Sequence, residues 1–227
     1  MDDDLSAKMR HYLADIYRLH DMEQPDSGYV NTSTLADLLF VSAPAVNRMV
    51  NRLKELDMLE HEPYKGIRLT QKGMQVALKQ LRTHRITECF LMVVMGLSWE
   101  DVYQEATNVS QALNDTILAR MTVMAGQPSF CPHGEPIPKP DGTIEALDDQ
   151  RLSAIETEQR VVVTRMLTRE SDRLAYIQAL GLMPGTELDV IHRAPFNGPM
   201  QLKVDKEYRI IGHNLAALIR AKPLKTT

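Results

Sequence analysis

Thr32-Ser33-Thr34-Leu35-Ala36-Asp37-Leu38-Leu39-Phe40-Val41-Ser42-Ala43-Pro44-Ala45-Val46-Asn47-Arg48-Met49-Val50-Asn51-Arg52-Leu53-Lys54-Glu55-Leu56 reads as a helix, a short turn and a longer helix. Leu35, Ala36, Leu38 and Leu39 give the first helix its apolar face, with Thr32 or Ser33 as N-cap. Phe40-Val41-Ser42 makes the break, Ser42 can cap, and Pro44 suits a first turn, where its missing N–H costs no helical hydrogen bond. Val46, Met49, Val50 and Leu53 then define one buried stripe. A helix enters the major groove when its exposed edge carries short polar or basic side chains and a preceding helix braces it on the backbone. Ser42, Ala45, Asn47 and Arg48 are the candidates for that edge, and Arg52 and Lys54 for phosphates. The plainer alternative is a helical hairpin with solvated charges.

The flanks extend the pattern. Upstream, Met9, Tyr12, Leu13, Ile16, Tyr17 and Leu19 recur at helical spacing from Leu5 to His20, followed by the turn cluster Gln24-Pro25-Asp26-Ser27-Gly28. Downstream, Met58–Glu62 and Ile67–Thr70 read as strands joined by Pro63-Tyr64-Lys65-Gly66, a β-hairpin wing with Lys65 and Arg68 on it. A long helix is expected from Met74 to about Met95, and another from Gly96-Leu97-Ser98-Trp99 to about Met124, capped by Ser98. The run Leu91-Met92-Val93-Val94-Met95 exceeds what one helix face can bury and points to pairing with a second copy. Residues 126–160 read as an irregular connection with one helical turn near Leu147–Leu152. Beyond it, strand-like segments at Val161–Val163, Leu188–Ile191, Met200–Val204, Tyr208–Ile211 and Ala217–Arg220, with a helical Ser171–Leu182, suggest a small β-barrel.

Composition sets the bounds. A chain of 227 residues, 44% hydrophobic and 25% charged, is long enough for two or three small domains with real cores. The net charge of -4 argues against indiscriminate nucleic-acid binding, yet Arg48, Arg52, Lys54, Lys65, Arg68 and Lys72 concentrate in one stretch, while acids dominate the first 40 residues and 141–158. Cys89 and Cys131 lack CxxC partners, which excludes a disulfide framework and a four-thiolate zinc site; both are expected to be reduced. No apolar run is long enough to span a bilayer, and the acidic start Met1-Asp2-Asp3-Asp4 is the reverse of a secretory n-region, so a cytoplasmic protein with no membrane partner is expected.

The winged-helix order followed by His84-Arg85-Ile86-Thr87-Glu88, Gly96-Leu97-Ser98-Trp99, Glu105-Ala106 and Cys131-Pro132-His133-Gly134-Glu135-Pro136-Ile137-Pro138 resembles the diphtheria toxin repressor family of metalloregulators. Gly181-Leu182-Met183-Pro184-Gly185 and Ala194-Pro195-Phe196-Asn197-Gly198-Pro199 resemble the SH3-like domain that ends longer members and also occurs in ferrous-iron transport accessory proteins. The resemblance implies a mainly α protein with a small β domain: a winged helix-turn-helix at 1–75, a helical metal-binding and dimerisation domain at 76–145, a linker at 146–158 and an SH3-like β-barrel at 159–227. It implies a homodimer that binds palindromic double-stranded operator DNA under control of Mn2+ or Fe2+. It aligns Ser42, Ala43 and Pro44 with the family's groove-facing segment.

It also implies ligands. His84 and Glu88, spaced i, i+4 and so on one helix face, match two ligands of the family's first metal site. The third, a histidine, is replaced by Tyr103; from the SH3-like domain Glu170 matches a carboxylate ligand, and Arg173 stands at an amide position. The second site's positions hold His11, Thr107, Ser110 and Gln111, a set without a carboxylate that suits hard cations poorly. The alternative to a metal at the first site is an ion pair from Arg173 to Glu88 or Glu170. Cys131 and His133 carry metal-compatible side chains, but Pro132 and Pro136 make that segment a rigid turn which the family keeps outside its regulatory sites, so a structural role is expected. A regulator freed of metal control is the second reading; a metal-dependent hydrolase using His84, Glu88 and His133 is remote, since there is no HExxH and no placed nucleophile.

Overall fold

The computed structural model describes residues 5–23 and 27–224; the acidic start and Gln24, Pro25 and Asp26 of the expected turn lie outside them. The chain forms two compact units, one comprising residues up to Thr83 with Pro138–Ile144, the other His84–Ile137 with Glu145 onward.

The first unit holds α1 (Ala7–Glu23), α2 (Thr32–Leu39), α3 (Ala43–Glu55), the hairpin β1 (Leu59–Glu62) and β2 (Gly66–Leu69), and the start of α4 (Gln71–Val93). Phe40 closes α2 in a left-handed conformation, φ 51°, and Ser42 opens α3 in an extended one, ψ 147°, so the three residues Phe40–Ser42 turn the chain between helices. Leu13, Ile16, Leu35, Val46, Val50, Leu53, Leu59 and Ile67 form one core, and the stripe expected along α3 is the face it buries. The wing pairs Leu59 with Leu69 through Glu62 with Gly66, and Val30 adds a bridge to Ile67. Gly66 sits at φ +114°, and a Cβ there would lie 2.2 Å from the Val30 carbonyl oxygen. Only glycine lets the wing close on Val30.

In the second unit the single helix expected from Trp99 to Met124 is two: α5 (Val102–Ser110) and α6 (Asp115–Met124). The break is chemical. Asn114 accepts the Ile117 N–H at 2.9 Å, an N-cap bond that starts a new helix, and Asp101 rather than Ser98 stands at the cap of α5. The helical turn expected near Leu147 falls later, as a 3-10 turn at Leu152–Ala154.

The C-terminal part is a six-stranded antiparallel sheet of β3 (Gln150–Arg151), β4 (Gln159–Met166), β5 (Glu187–Arg193), β6 (Met200–Val204), β7 (Glu207–Ile211) and β8 (Ile219–Pro223), ordered β3-β8-β4-β5-β6-β7. Helix α7 (Ser171–Ala179) and the short α8 (His213–Ala216) cover it. Its core joins Val161, Val163, Leu174, Ile177, Leu188, Val190, Leu202 and Ile219 to Trp99, contributed by the helical part. Helix α4 runs unbroken across position 75, and β3 is an edge strand within 146–158. No described helix is long and apolar enough to cross a membrane.

Candidate nucleic-acid interface and buried ligand cluster

Helix α3 turns Val46, Val50 and Leu53 inward, and the same 3.6-residue period leaves Ser42, Ala43, Pro44, Asn47, Arg48, Asn51 and Arg52 exposed, with Ala45 half-buried. Asn51 was missed in the sequence although it lies i+4 from Asn47 on the same face. Arg52 pairs with Glu55 at 2.9 Å. The wing cations are more engaged: Lys65 meets Glu62 at 2.6 Å and Arg68 meets Glu60 at 2.6 Å. Tyr29 Oη donates to Glu62 at 2.5 Å, and that bond, with burial and the two glutamates, pushes the phenol up to about 12 against the opposing pull of Arg68. The wing therefore presents paired charge, whereas α3 presents Arg48 and its amide neighbours to solvent.

In the second unit His84 and Glu88 are both buried, Nδ1 to Oε2 3.6 Å. His84 Nε2 lies 3.0 Å from Thr107 Oγ1, whose own proton goes to the Tyr103 carbonyl, so His84 donates there. The fully buried His133 stands on the other carboxylate oxygen, Nδ1 to Glu88 Oε1 3.0 Å, with Nε2 donating to the Trp99 carbonyl at 3.1 Å. Both ring nitrogens of His133 are thus engaged by oxygen atoms inside the protein. Burial works to raise the Glu88 carboxyl, but the hydrogen bonds and charges of His133 and His84 outweigh it and hold the group well below the usual carboxylate range. Cys131 completes a buried trio in which ligand atoms of Glu88, Cys131 and His133 lie within 4.8 Å of one another. Burial, then the charges of Glu88 and Glu135, push its thiol far up.

The segment expected to be structural thus converges on Glu88. The signal available in the sequence was the donor chemistry of Cys131 and His133, outweighed by their prolines. The other expected ligands fall elsewhere. Glu170, half-exposed at the N-cap of α7, pairs with Arg173 at 2.9 Å. The Tyr103 ring packs 4.7 Å from that of His84. In the first unit His11 donates from Nδ1 to the Ala7 carbonyl at 2.8 Å and meets the Gln80 amide at 3.3 Å. In the second, Gln111 donates to the Thr107 carbonyl at 3.2 Å.

The donor set fits a divalent cation. His133 is oriented by a carbonyl on its far nitrogen, as metal-bound imidazoles usually are, and the carboxylate supplies negative charge inside the protein, to which a coordinated thiol adds by losing its proton.

Three family models cover nearly the whole chain: the iron-dependent repressor N-terminal DNA-binding domain at 4–67, the iron-dependent repressor metal-binding and dimerisation domain at 70–139, and the FeoA domain at 150–223. A helix-turn-helix transcriptional regulator of Methanocaldococcus jannaschii is 34% identical over 120 residues, 52% of this chain and 93% of that protein. The chain belongs to the diphtheria toxin repressor family. The family consists of DNA-binding transcription regulators, not enzymes. Among its iron-dependent repressors, the diphtheria toxin repressor of Corynebacterium jeikeium is 26% identical over 211 residues, 83% of this chain and 86% of that one. A manganese-dependent transcriptional repressor solved with manganese superposes with a TM-score of 0.87 at 27% identity, covering 95% of this chain and all 100% of the other. The regulator solved as IdeR of T. acidophilum gives 0.80 at 27%, covering 94% and 97%. Within the part matched by the repressor family's dimerisation domain, Val93, Val94, Met95, Ile117, Val123 and Met124 stand exposed, the surplus of apolar surface anticipated from the run at Leu91–Met95.

Proposed function

We propose that the protein is a homodimeric repressor that reads a palindromic operator through α3 and is controlled by iron(II) or manganese(II) at the buried cluster. The single observation that carries the metal half is Glu88, fully buried and shared between His84 and His133 beside Cys131. Glu88, His84, His133 and Cys131 would hold the ion, and when bound it supplies positive charge beside the buried Glu88 carboxylate. A thiol among the donors favours iron(II) over the harder manganese(II). Glu170, expected as a ligand, contributes only if its pair with Arg173 opens.

On the DNA side, Asn47, Arg48 and Asn51 face the bases, Ser42, Ala43, Pro44 and Ala45 set the approach of the helix start, and Arg52 and Lys65 meet phosphates. The exposed apolar residues of α6 and the end of α4 are covered by the second protomer, whose two-fold axis matches a palindrome. The reading places the protein in the cytoplasm with its operator.

Calorimetric titration with iron(II) and manganese(II), beside anisotropy measurements on a palindromic duplex selected from random sequence, tests this. Saturable heat with either ion and operator affinity raised about tenfold, within the usual range of allosteric coupling, are expected. Equal affinity with and without both ions overturns the metal half and leaves the metal-independent regulator, which the Glu170–Arg173 pair favours. Failure to select any duplex overturns the DNA half.

A further inference from the structure

Within the second unit, the loop Cys131–Pro136 lies against β4. Met166 N–H donates to the His133 carbonyl at 2.9 Å, and Gly134, at φ +85°, brings its backbone so near β4 that a Cβ would stand 1.9 Å from the Thr164 carbonyl oxygen. Beside this seam Glu135 is buried between two guanidiniums, Arg85 at 3.1 Å from α4 and Arg169 at 2.6 Å from the segment leading into α7. Arg169 is itself braced: Nη1 donates to the Met166 carbonyl at 2.8 Å and the Thr168 carbonyl at 2.7 Å, and its guanidinium carbon lies 5.4 Å over the Tyr103 ring. That ring is 4.7 Å from His84 and meets His133 edge-on at 6.4 Å.

The resemblance implied two metal ligands from the SH3-like part, at Glu170 and position 173. Here those two residues neutralise each other at half-exposed positions, and the neighbouring residue delivers a permanent cation to the interior. A guanidinium stays charged at every physiological pH, and here it faces the Glu135 carboxylate as an ion pair while its Nη1 donates to two carbonyls and its carbon lies over an aromatic ring. We propose that Arg169 is a positioning residue that clamps the SH3-like part onto the helical part through Glu135 and Tyr103, so that this docking requires no metal. Control by the cation then acts through Glu88 and its imidazoles, with the SH3-like part already seated. The inference concerns the regulation of the cluster and rests on that reading for its consequence, while the docking is measured without reference to metal affinity.

Trp99 is the only tryptophan of the chain, and it is buried in the core of the SH3-like part with Nε1 donating to the Pro132 carbonyl at 2.8 Å, so it reports docking directly. The Met166 amide, bonded across the seam, is a second reporter. The full chain is compared with chelator and with manganese(II), as wild type and as Arg169→Gln, Arg169→Lys and Arg173→Gln, by tryptophan emission, acrylamide quenching and hydrogen exchange of the peptide containing Met166. Wild type and R173Q should show blue-shifted, poorly quenched emission and slow exchange, unchanged by chelator. R169Q should red-shift and exchange about tenfold or more faster, as local opening separates from global unfolding. R169K, which keeps a charge facing Glu135 but loses the planar group over Tyr103, should fall between them. Should R169Q fail to fold, R169K carries the comparison, and its exchange matching wild type would overturn the clamp. Emission in the wild type that shifts blue only when metal is added, or an R169Q that behaves as wild type, would also overturn it. A wild type that binds no cation in calorimetry yet stays docked overturns the metal reading and leaves the clamp standing.

Discussion

His133 Nδ1 lies 3.0 Å from Glu88 Oε1 across 45 residues of chain, and with its other nitrogen on the Trp99 carbonyl it ties α4 to the loop that seats the SH3-like part. Removing the buried acceptor leaves the His133 and His84 nitrogens without their carboxylate partner, so Glu88→Gln should cost about 1–3 kcal/mol in denaturant unfolding. The same substitution should abolish the calorimetric signal of metal binding. A stable E88Q that still titrates with iron(II) would remove Glu88 from the site.

The acid limb of stability follows from the same carboxyl. Its folded pKa is held well below that of the unfolded chain, so it contributes stability that is fully present above the unfolded value of 4.5 and is lost as pH falls toward the folded one. Urea midpoints measured from pH 6 down to about pH 3 should therefore fall more steeply for wild type than for E88Q. Parallel slopes would show that Glu88 is not depressed.

Gly134→Ala should destabilise through two separate causes, the positive φ and the collision with the Thr164 carbonyl. Gly142→Ala shares the first, at φ +82°, with nothing within 4 Å of the added Cβ. Strain at such a backbone is worth on the order of 1–3 kcal/mol, so G134A should melt lower than G142A by the additional cost of moving backbone. Equal melting temperatures would mean that the loop is not pressed on β4.

On the DNA face, Arg48→Ala should weaken operator binding by about 1–3 kcal/mol and relax sequence preference, the expected effect of losing a base contact. Lys65→Ala should change affinity less, because Lys65 already faces Glu62 at 2.6 Å. Anisotropy titrations at several salt concentrations separate the two. A larger loss for K65A than for R48A would move recognition from α3 to the wing.

Ultraviolet titration should find one tyrosine ionising at about 12, and Tyr29→Phe should remove it. Because the folded value is raised above the ordinary 10.0, the stability it contributes is present below pH 10 and is lost as pH rises toward 12.

The helix-turn-helix, the wing and four of the six C-terminal strands were legible in the residues because each depends on a short-range period or cap, as with Val46, Val50 and Leu53 along α3 and Gly66 in the wing turn, whereas β3 falls in the expected connection and the last strand runs Ile219–Pro223 rather than Ala217–Arg220. The one misread helix, α5 with α6, fails for a local reason too, the capping amide of Asn114, which a longer apolar pattern concealed. The i, i+4 pair of His84 and Glu88 was equally plain, since one helix fixes both side chains.

Which groups Glu88 meets was decided by the tertiary structure alone. Residue types allowed Arg173, Glu170, Tyr103, Cys131 or His133 as its neighbours, and choosing among them requires the path of a loop that Gly134 and Met166 hold against β4. The sequence by itself carried the family resemblance in its motifs, and local spacing marked the exposed polar edge of α3 and the acid on α4. The folded chain decided that the acid pairs with His133 beside Cys131, and that the cation brought in by the SH3-like part is Arg169 rather than Arg173, because long-range packing and burial choose between chemically equivalent partners.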